Sequence, residues 1–294
     1  MGLSRLEMVE AARGAGFTKV SERLVTDWRS LGLLDEPVRV SRGQGEGPGA
    51  RYEWPDTQRE LFLSLLQQRP NLKYVAGLSQ MPVSIWIYWG DDFVPLRQVK
   101  IALRTWWDRA GRLNSRERIE SEARVIVKAI VGAGGSRELR NQLRDAIAKS
   151  MDSGVYDVES ITPLVQNLLE TIPQGSWGPF GFGASEVVDM LRSMAIAMTD
   201  FDSFSDGDFL EARSRHRQNL VAYLRAQPAL SDEPAWGNWF IDPTYEFLVN
   251  NSCRDLLRNL GMLRLAAQYG RDLGPVTLES VRKPPPEVLQ LPIR

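Results

Sequence analysis

Cysteine and histidine are nearly missing from this 294-residue chain: each occurs once, as Cys253 and His216. A lone cysteine excludes an internal disulfide framework and any multi-cysteine zinc site, so the expected compartment is the reducing cytoplasm. Cys253 falls inside a helical pattern and reads as a small core residue. The histidine sits in Arg213-Ser214-Arg215-His216-Arg217, whose charge would lower its pKa, and reads as a solvated helix residue rather than a general base. Long apolar runs are absent too. The longest, Val83 to Trp89, is far too short to cross a bilayer, and the first residues, MGLSRLEMVEAARGAG, lack the apolar stretch of a secretory signal. No membrane partner is expected. With no Gly-x-Ser-x-Gly, no phosphate-binding loop and no metal-ligand spacing, neither enzyme chemistry nor a metal or cofactor is expected.

What is present looks like an ordinary globular chain, with 43% hydrophobic and 25% charged residues. The formal net charge of −1 hides an asymmetry. Residues 1–70 carry 10 basic and 10 acidic side chains, residues 97–149 carry 13 and 6, and residues 150–211 carry 1 and 11. A basic block followed by an acidic one implies two surfaces with different tasks, or two that neutralise each other.

Leu6, Val9 and Ala12 share a helical face, so a first helix runs from Arg5 to Arg13 and stops at Gly14-Ala15-Gly16. Ser21 then caps a second helix, with Leu24, Val25, Trp28 and Leu31 apolar at helical spacing and Gly32 at its end. Val38–Val40 and Arg51–Trp54 suit a two-stranded ribbon around a tip containing Gly43, Gly45, Gly47, Pro48 and Gly49. Pro55-Asp56 opens a third helix with Leu61, Phe62, Leu65 and Leu66 inward, and Pro70 closes it. A helix that can enter a groove, followed by a ribbon that can grip flanking backbone, is the part of the chain that speaks most directly of function.

The residues Val25, Trp28, Leu31, Gly32-Leu33-Leu34, Arg39, Gly49 and Arg51-Tyr52, with the helix after Pro55, resemble the winged helix-turn-helix of the MerR-like regulators over about a quarter of the chain. That resemblance implies a DNA-binding domain whose second helix lies in the major groove while the wing contacts backbone or minor groove. The outward side chains of that helix and wing are Lys19, Ser21, Glu22, Arg23, Thr26, Arg29, Arg39, Arg42 and Arg51. Arg23 is the best placed to read a base edge, because its fork matches guanine O6 and N7. Lys19, Arg29, Arg39, Arg42 and Arg51 suit phosphates, which position without specifying. Where the family has Arg and an aromatic, this chain has Thr26 and Asp27, and Asp27 repels phosphate. With the domain's charge balanced, non-specific affinity should be weak.

Further along, Val83 to Trp89 is the best strand candidate, rich in β-branched and aromatic residues. A helix from Pro95 to about Ala110 places Arg97, Lys100 and Arg104 on one side at i, i+3, i+7, continued by Arg109, Arg112, Arg116 and Arg118. These form an auxiliary phosphate-binding face or, the favoured reading, a solvated face paired with the acidic block. Helices are expected over 137–151, 158–172, 185–199, 207–226 and 243–269, with Gly132–Ser136 as a linker and the Pro-rich tail after Lys283 loosely held. The nine tryptophans fit core packing better than a ligand cage. Asp200, Asp202, Asp206, Asp208 and Glu211 suggest a calcium loop, but Phe204 and Ser205 occupy positions 5 and 6, so Ser205 with Asp208 is read as a capping box.

The expected fold class is mainly α: an N-terminal winged helix-turn-helix (1–70), a small strand-and-helix unit with the basic helix (71–135), and a helical dimerisation or partner domain (136–294). In the last, Phe247, Leu248, Leu256, Leu257, Leu260 and Leu263 are the expected dimer face. The expected function is sequence-specific binding of double-stranded DNA by a transcriptional regulator, acting as a homo-oligomer with a protein partner or small-molecule effector. The alternatives are an architectural or recombination accessory factor, and an adaptor whose winged helix no longer touches DNA.

Overall fold

A computed structural model describes residues 2–41, 50–72, 74–108, 116–131, 135–153, 156–171, 182–231 and 245–270. The fold is mainly α, and a two-stranded antiparallel sheet is the one sheet among the described residues. The chain divides into two compact units, Met1–Arg112 with Thr244–Cys253, and Leu113–Pro243 with Arg254–Arg294. Residues 71–108 fall in the first of these units together with the N-terminal 70.

In the first unit, helix α1 (Arg5–Gly14) opens with a capping box: Glu7 N–H donates to Ser4 Oγ, and Ser4 N–H donates to Glu7 Oε2. Ser21 Oγ accepts from Leu24 N–H and caps α2 (Glu22–Ser30). Both helices end the same way. Gly16 and Gly32 take the left-handed conformation, at φ 96° and 69°, one residue past the cap. The N–H groups of Gly16 and Phe17 then return to Arg13 O and Ala12 O, and those of Gly32 and Leu33 return to Arg29 O and Trp28 O. Each pair closes carbonyls that the helix end would otherwise leave open. Strands β1 (Val38–Ser41) and β2 (Ala50–Glu53) pair antiparallel, with Arg39 opposite Tyr52 and Val40 opposite Arg51. Leu3 adds a bridge to Trp54, N to O at 2.8 Å in both directions. Helix α3 (Asp56–Gln68) then buries Leu61, Phe62, Leu65 and Leu66, and the Phe62 ring meets Trp28 edge to face at 5.4 Å.

The strand expected at Val83–Trp89 is instead helix α4 (Gln80–Trp89), entered from a 3-10 turn over Val75–Ser79. Met81, Pro82, Val83, Ser84, Trp86 and Ile87 are all buried. A helix wrapped by neighbours on most sides carries no polar stripe, so its sequence loses the helical period and looks like a buried strand. Pro82 is tolerated because it lies in the first turn, where its missing N–H has no helical partner to lose. Gly90 ends α4, and Pro95 precedes α5 (Leu96–Trp106).

The second unit stacks α6 (Arg116–Val131) on α7 (Arg137–Ser153), α7 on α8 (Val158–Leu169), and α8 on α9 (Ala184–Thr199). Ala123, Val127, Leu143, Ile147, Ile161, Val165, Leu168 and Val187 form its buried cluster. Helix α10 (Asp206–Ser231) follows a cap in which Ser205 Oγ accepts from Asp208 N–H and Asp208 Oδ2 accepts from Ser205 N–H. Helix α11 (Tyr245–Tyr269) approaches α9 so closely that a Cβ on Gly261 would lie 1.7 Å from Ser193 O. The dimer face expected on α11 is therefore corrected: Leu256, Leu257 and Leu260 are buried inside the chain, while Leu263 is half-buried. Cys253 is fully buried. The side chains of Phe247 and Leu248, the linker residues 132–134 and the Pro-rich tail lie outside the described residues.

His216 is also corrected, being half-buried in α10 rather than solvated. Burial holds its pKa below the ordinary 6.5, and Arg258 adds to that while Asp255 opposes it. A histidine kept neutral when folded takes up protons on unfolding, so its contribution is intact above pH 6.5 and is lost as pH falls below that value. Denaturation midpoints measured from pH 8 down to pH 5 should decline through this window, and His216→Asn should flatten the decline. Of the left-handed glycines, Gly16 has open space where a side chain would start, with nothing within 4 Å of a Cβ, whereas a Cβ on Gly32 would lie 2.4 Å from Ala102 N. Gly16→Ala should cost about 1–2 kcal/mol from backbone strain alone. Gly32→Ala adds overpacking and should cost about 2–5 kcal/mol by chemical denaturation.

Candidate nucleic-acid interface

Helix α2 is amphipathic in the strict sense that one face is spent on the core. Val25 and Trp28 are buried, and Leu33 and Leu34 follow them in. The opposite face carries Glu22, Arg23, Asp27 and Ser30, all exposed. Arg23 is 89% exposed at its side chain, and its Nε lies 3.7 Å from Asp27 Oδ2 one turn on. Lys19 is exposed in the turn before the helix, and Arg39 is exposed on β1. These are the residues of the expected interface that the fold brings to the surface with their charge outward.

Others are committed elsewhere. The Ser21 hydroxyl caps α2, and Thr26 Oγ1 donates to Glu22 O at 3.1 Å. Arg29 is half-buried and donates to Glu36 Oε2 at 3.1 Å. Arg51 reaches Glu53 at 2.7 Å and Glu7 at 3.2 Å, so its guanidinium ties the ribbon to α1. Glu7 is held below the usual carboxylate range, chiefly by its hydrogen bonds with Ser4 and then by Arg51. Arg42 and the ribbon tip lie outside the described residues.

On the auxiliary basic face, Arg97 finds its partner in Asp35 rather than in the acidic block of residues 150–211. Asp35 lies in the turn after α2, and the Arg97 side chain stays 61% exposed. Its Nε donates to Asp35 Oδ1 at 2.8 Å while a terminal nitrogen donates to Oδ2. Asp35 is 8% exposed, and its carboxylate raises the Arg97 pKa above the ordinary arginine value. Lys100 is half-buried, Arg104 is exposed, and Arg116 pairs with Glu120 at 3.2 Å. Arg109, Arg112 and the side chain of Arg118 lie outside the described residues.

Around this ion pair lies a buried network that sequence reasoning missed. Asp35 N–H donates to Gln58 Oε1 at 2.8 Å, and Trp54 Nε1 donates to Asp35 O at 2.7 Å. Gln58 Nε2 donates to Gln98 Oε1 at 3.0 Å, and Gln98 Nε2 donates to Leu33 O at 3.1 Å. Gln58 and Gln98 are both 1% exposed. The only sequence signal was a glutamine at an inward position of two amphipathic helices, and nothing in the pattern pairs one with the other. Together these bonds hold the turn from α2 to β1 against α3 and α5, and thereby set the angle between helix and ribbon. Of the tryptophans, Trp28, Trp54 and Trp86 are buried, Trp106 and Trp107 half-buried, and Trp89 exposed; Trp177, Trp236 and Trp239 lie outside the described residues.

No protein-family model, curated protein or solved structure matches the chain. Among the described residues no helix is long and apolar enough to cross a membrane.

The Arg97–Asp35 pair gives a direct test of this arrangement. Arg97→Ala leaves a buried carboxylate without its cation and should cost about 1–3 kcal/mol. Arg97→Ala combined with Asp35→Asn removes the stranded charge and should recover part of that loss in the denaturation midpoint. Losses for Arg97→Ala and for Asp35→Asn that simply add in the double variant would show that the pair carries no coupling.

Proposed function

We propose that the chain is a sequence-specific double-stranded-DNA-binding protein, acting as a transcriptional regulator, in which α2 enters the major groove and the β1–β2 ribbon grips flanking backbone. The observation that carries this reading is the division of α2 into a face anchored by Val25 and Trp28 and an opposite face led by the exposed Arg23. An α-helix fits the major groove, and an exposed arginine fork near its start matches guanine. Lys19 before the helix and Arg39 on the ribbon flank that point with positive charge suited to phosphates. The shared anchoring of turn, ribbon and α3 through Gln58 and Asp35 supports it further, since a reading helix needs a rigid mount.

A second reading, the protein-binding adaptor, draws on the ribbon itself, where Val38 and Tyr52 are each 55% exposed. The architectural alternative draws on the basic face of α5, where Arg104 is exposed and Arg97, though paired with Asp35, keeps 61% of its side chain exposed.

Selection of bound DNA from random duplexes, followed by titration with salt, tests the proposal. Arg23→Ala should remove preference at one base position, worth about 1–3 kcal/mol, while leaving the rest of the site recognised. Lys19→Ala and Arg39→Ala should weaken all sequences alike and each reduce the salt slope by about 1. Arg97→Ala should leave that slope unchanged. Absence of any binding at low salt would sink the proposal in favour of the adaptor.

A further inference from the structure

Asp27 is out of place on a surface meant for DNA. It stands one turn after Arg23 on the outward face of α2, its side chain 58% exposed, with Glu22 beside it. The face therefore carries two acids for one base. Such a face gains little from phosphate, so whatever binds it must be recognised by directed hydrogen bonds. In the major groove the donors that can satisfy a carboxylate are the exocyclic amines, and aspartate pairs with cytosine N4.

The geometry suits a shared task. Asp27 Oδ2 lies beside the Nε edge of Arg23 at 3.7 Å, which leaves the two terminal nitrogens of the guanidinium to reach on toward guanine O6 and N7. The other oxygen, Asp27 Oδ1, is left to accept. Four residues along a helix advance about 6 Å, and stacked bases are about 3.4 Å apart, so the two side chains meet bases within about two steps of each other. We infer that Arg23 and Asp27 act as one reading unit, in which Asp27 orients the arginine on a guanine and selects a cytosine within two base pairs of it. Asp27 is thus a specificity-determining residue, and it also lowers affinity for arbitrary DNA. This rests on the proposed DNA-binding function and extends it to the chemistry of the site that is read.

The test compares DNA selected by the wild-type chain with DNA selected by Asp27→Ala and Asp27→Asn, each checked for an unchanged denaturation midpoint. The wild type should select a guanine and a cytosine within two base pairs. Asp27→Ala should lose the cytosine preference by about 5- to 150-fold. It should also bind unrelated duplexes about two- to fivefold more tightly, because a repulsive charge is gone. Asp27→Asn should turn the preference at that position from cytosine to adenine, whose N6 and N7 match an amide. A cytosine preference retained in both variants, or a uniform weakening at every position, would overturn the inference while leaving DNA binding intact. Increased binding to all duplexes with no change in base preference would overturn it as well, reducing Asp27 to a repulsive charge. A wild-type chain that selects no DNA would overturn the function and this inference together.

Discussion

The turn from Gly32 to Asp35 is held by groups that have no water to fall back on. Gln58 and Gln98 are buried, and each spends its amide on a backbone carbonyl or N–H of that turn and on the other glutamine. Breaking any one bond leaves a buried polar atom unsatisfied, which costs more than the bond contributes. Gly32 completes the constraint from the other side: only a residue without Cβ lets the turn rest on the backbone of α5. The relative placement of α2, the ribbon and α3 follows from this one locked turn.

That lock changes what the basic residues mean. A line of arginines at helical spacing looks like a charged face, yet Arg97 serves to neutralise Asp35, and Arg51 and Arg29 lie against Glu7, Glu53 and Glu36. Three of the cations that invited a phosphate-binding reading are thus held by carboxylates of the chain itself, with 34% to 61% of their side-chain surface still exposed. What remains outward on α2 is a compact pair, Arg23 with Asp27, flanked by Lys19 and Arg39. Such a surface favours recognition by a few directed hydrogen bonds over attraction by bulk charge, which is consistent with the balanced charge of residues 1–70.

The legibility of the chain varies with how local the controlling physics is. Helices α1, α2 and α3 and the ribbon are readable because their ends are written in short range: Ser21 as the cap of α2, Gly14-Ala15-Gly16 and Gly32 as stops, Pro55 before α3. Helix α4 reads as a strand, since burial on nearly all sides erases its period. The leucines of α11 are legible as an apolar face, but whether that face meets another copy or the chain's own interior is not a property of the stripe. Arg23 can be nominated from its position on a helix, whereas Asp35 beside Arg97 and Glu7 beside Arg51 lie 62 and 44 residues away and leave no mark on the local pattern.

Sequence alone determined the mainly helical composition, the caps and stops of the first elements, the inward stripe of α2 and therefore its outward one, because each depends on neighbours within a few residues. Tertiary structure decided which charges stay outward, which helix face is internal, and that residues 71–108 fall in one compact unit with the first 70. Those outcomes depend on close approaches such as Gly32 against Ala102 and on hydrogen bonds such as Gln58 to Gln98, which join segments far apart in the chain.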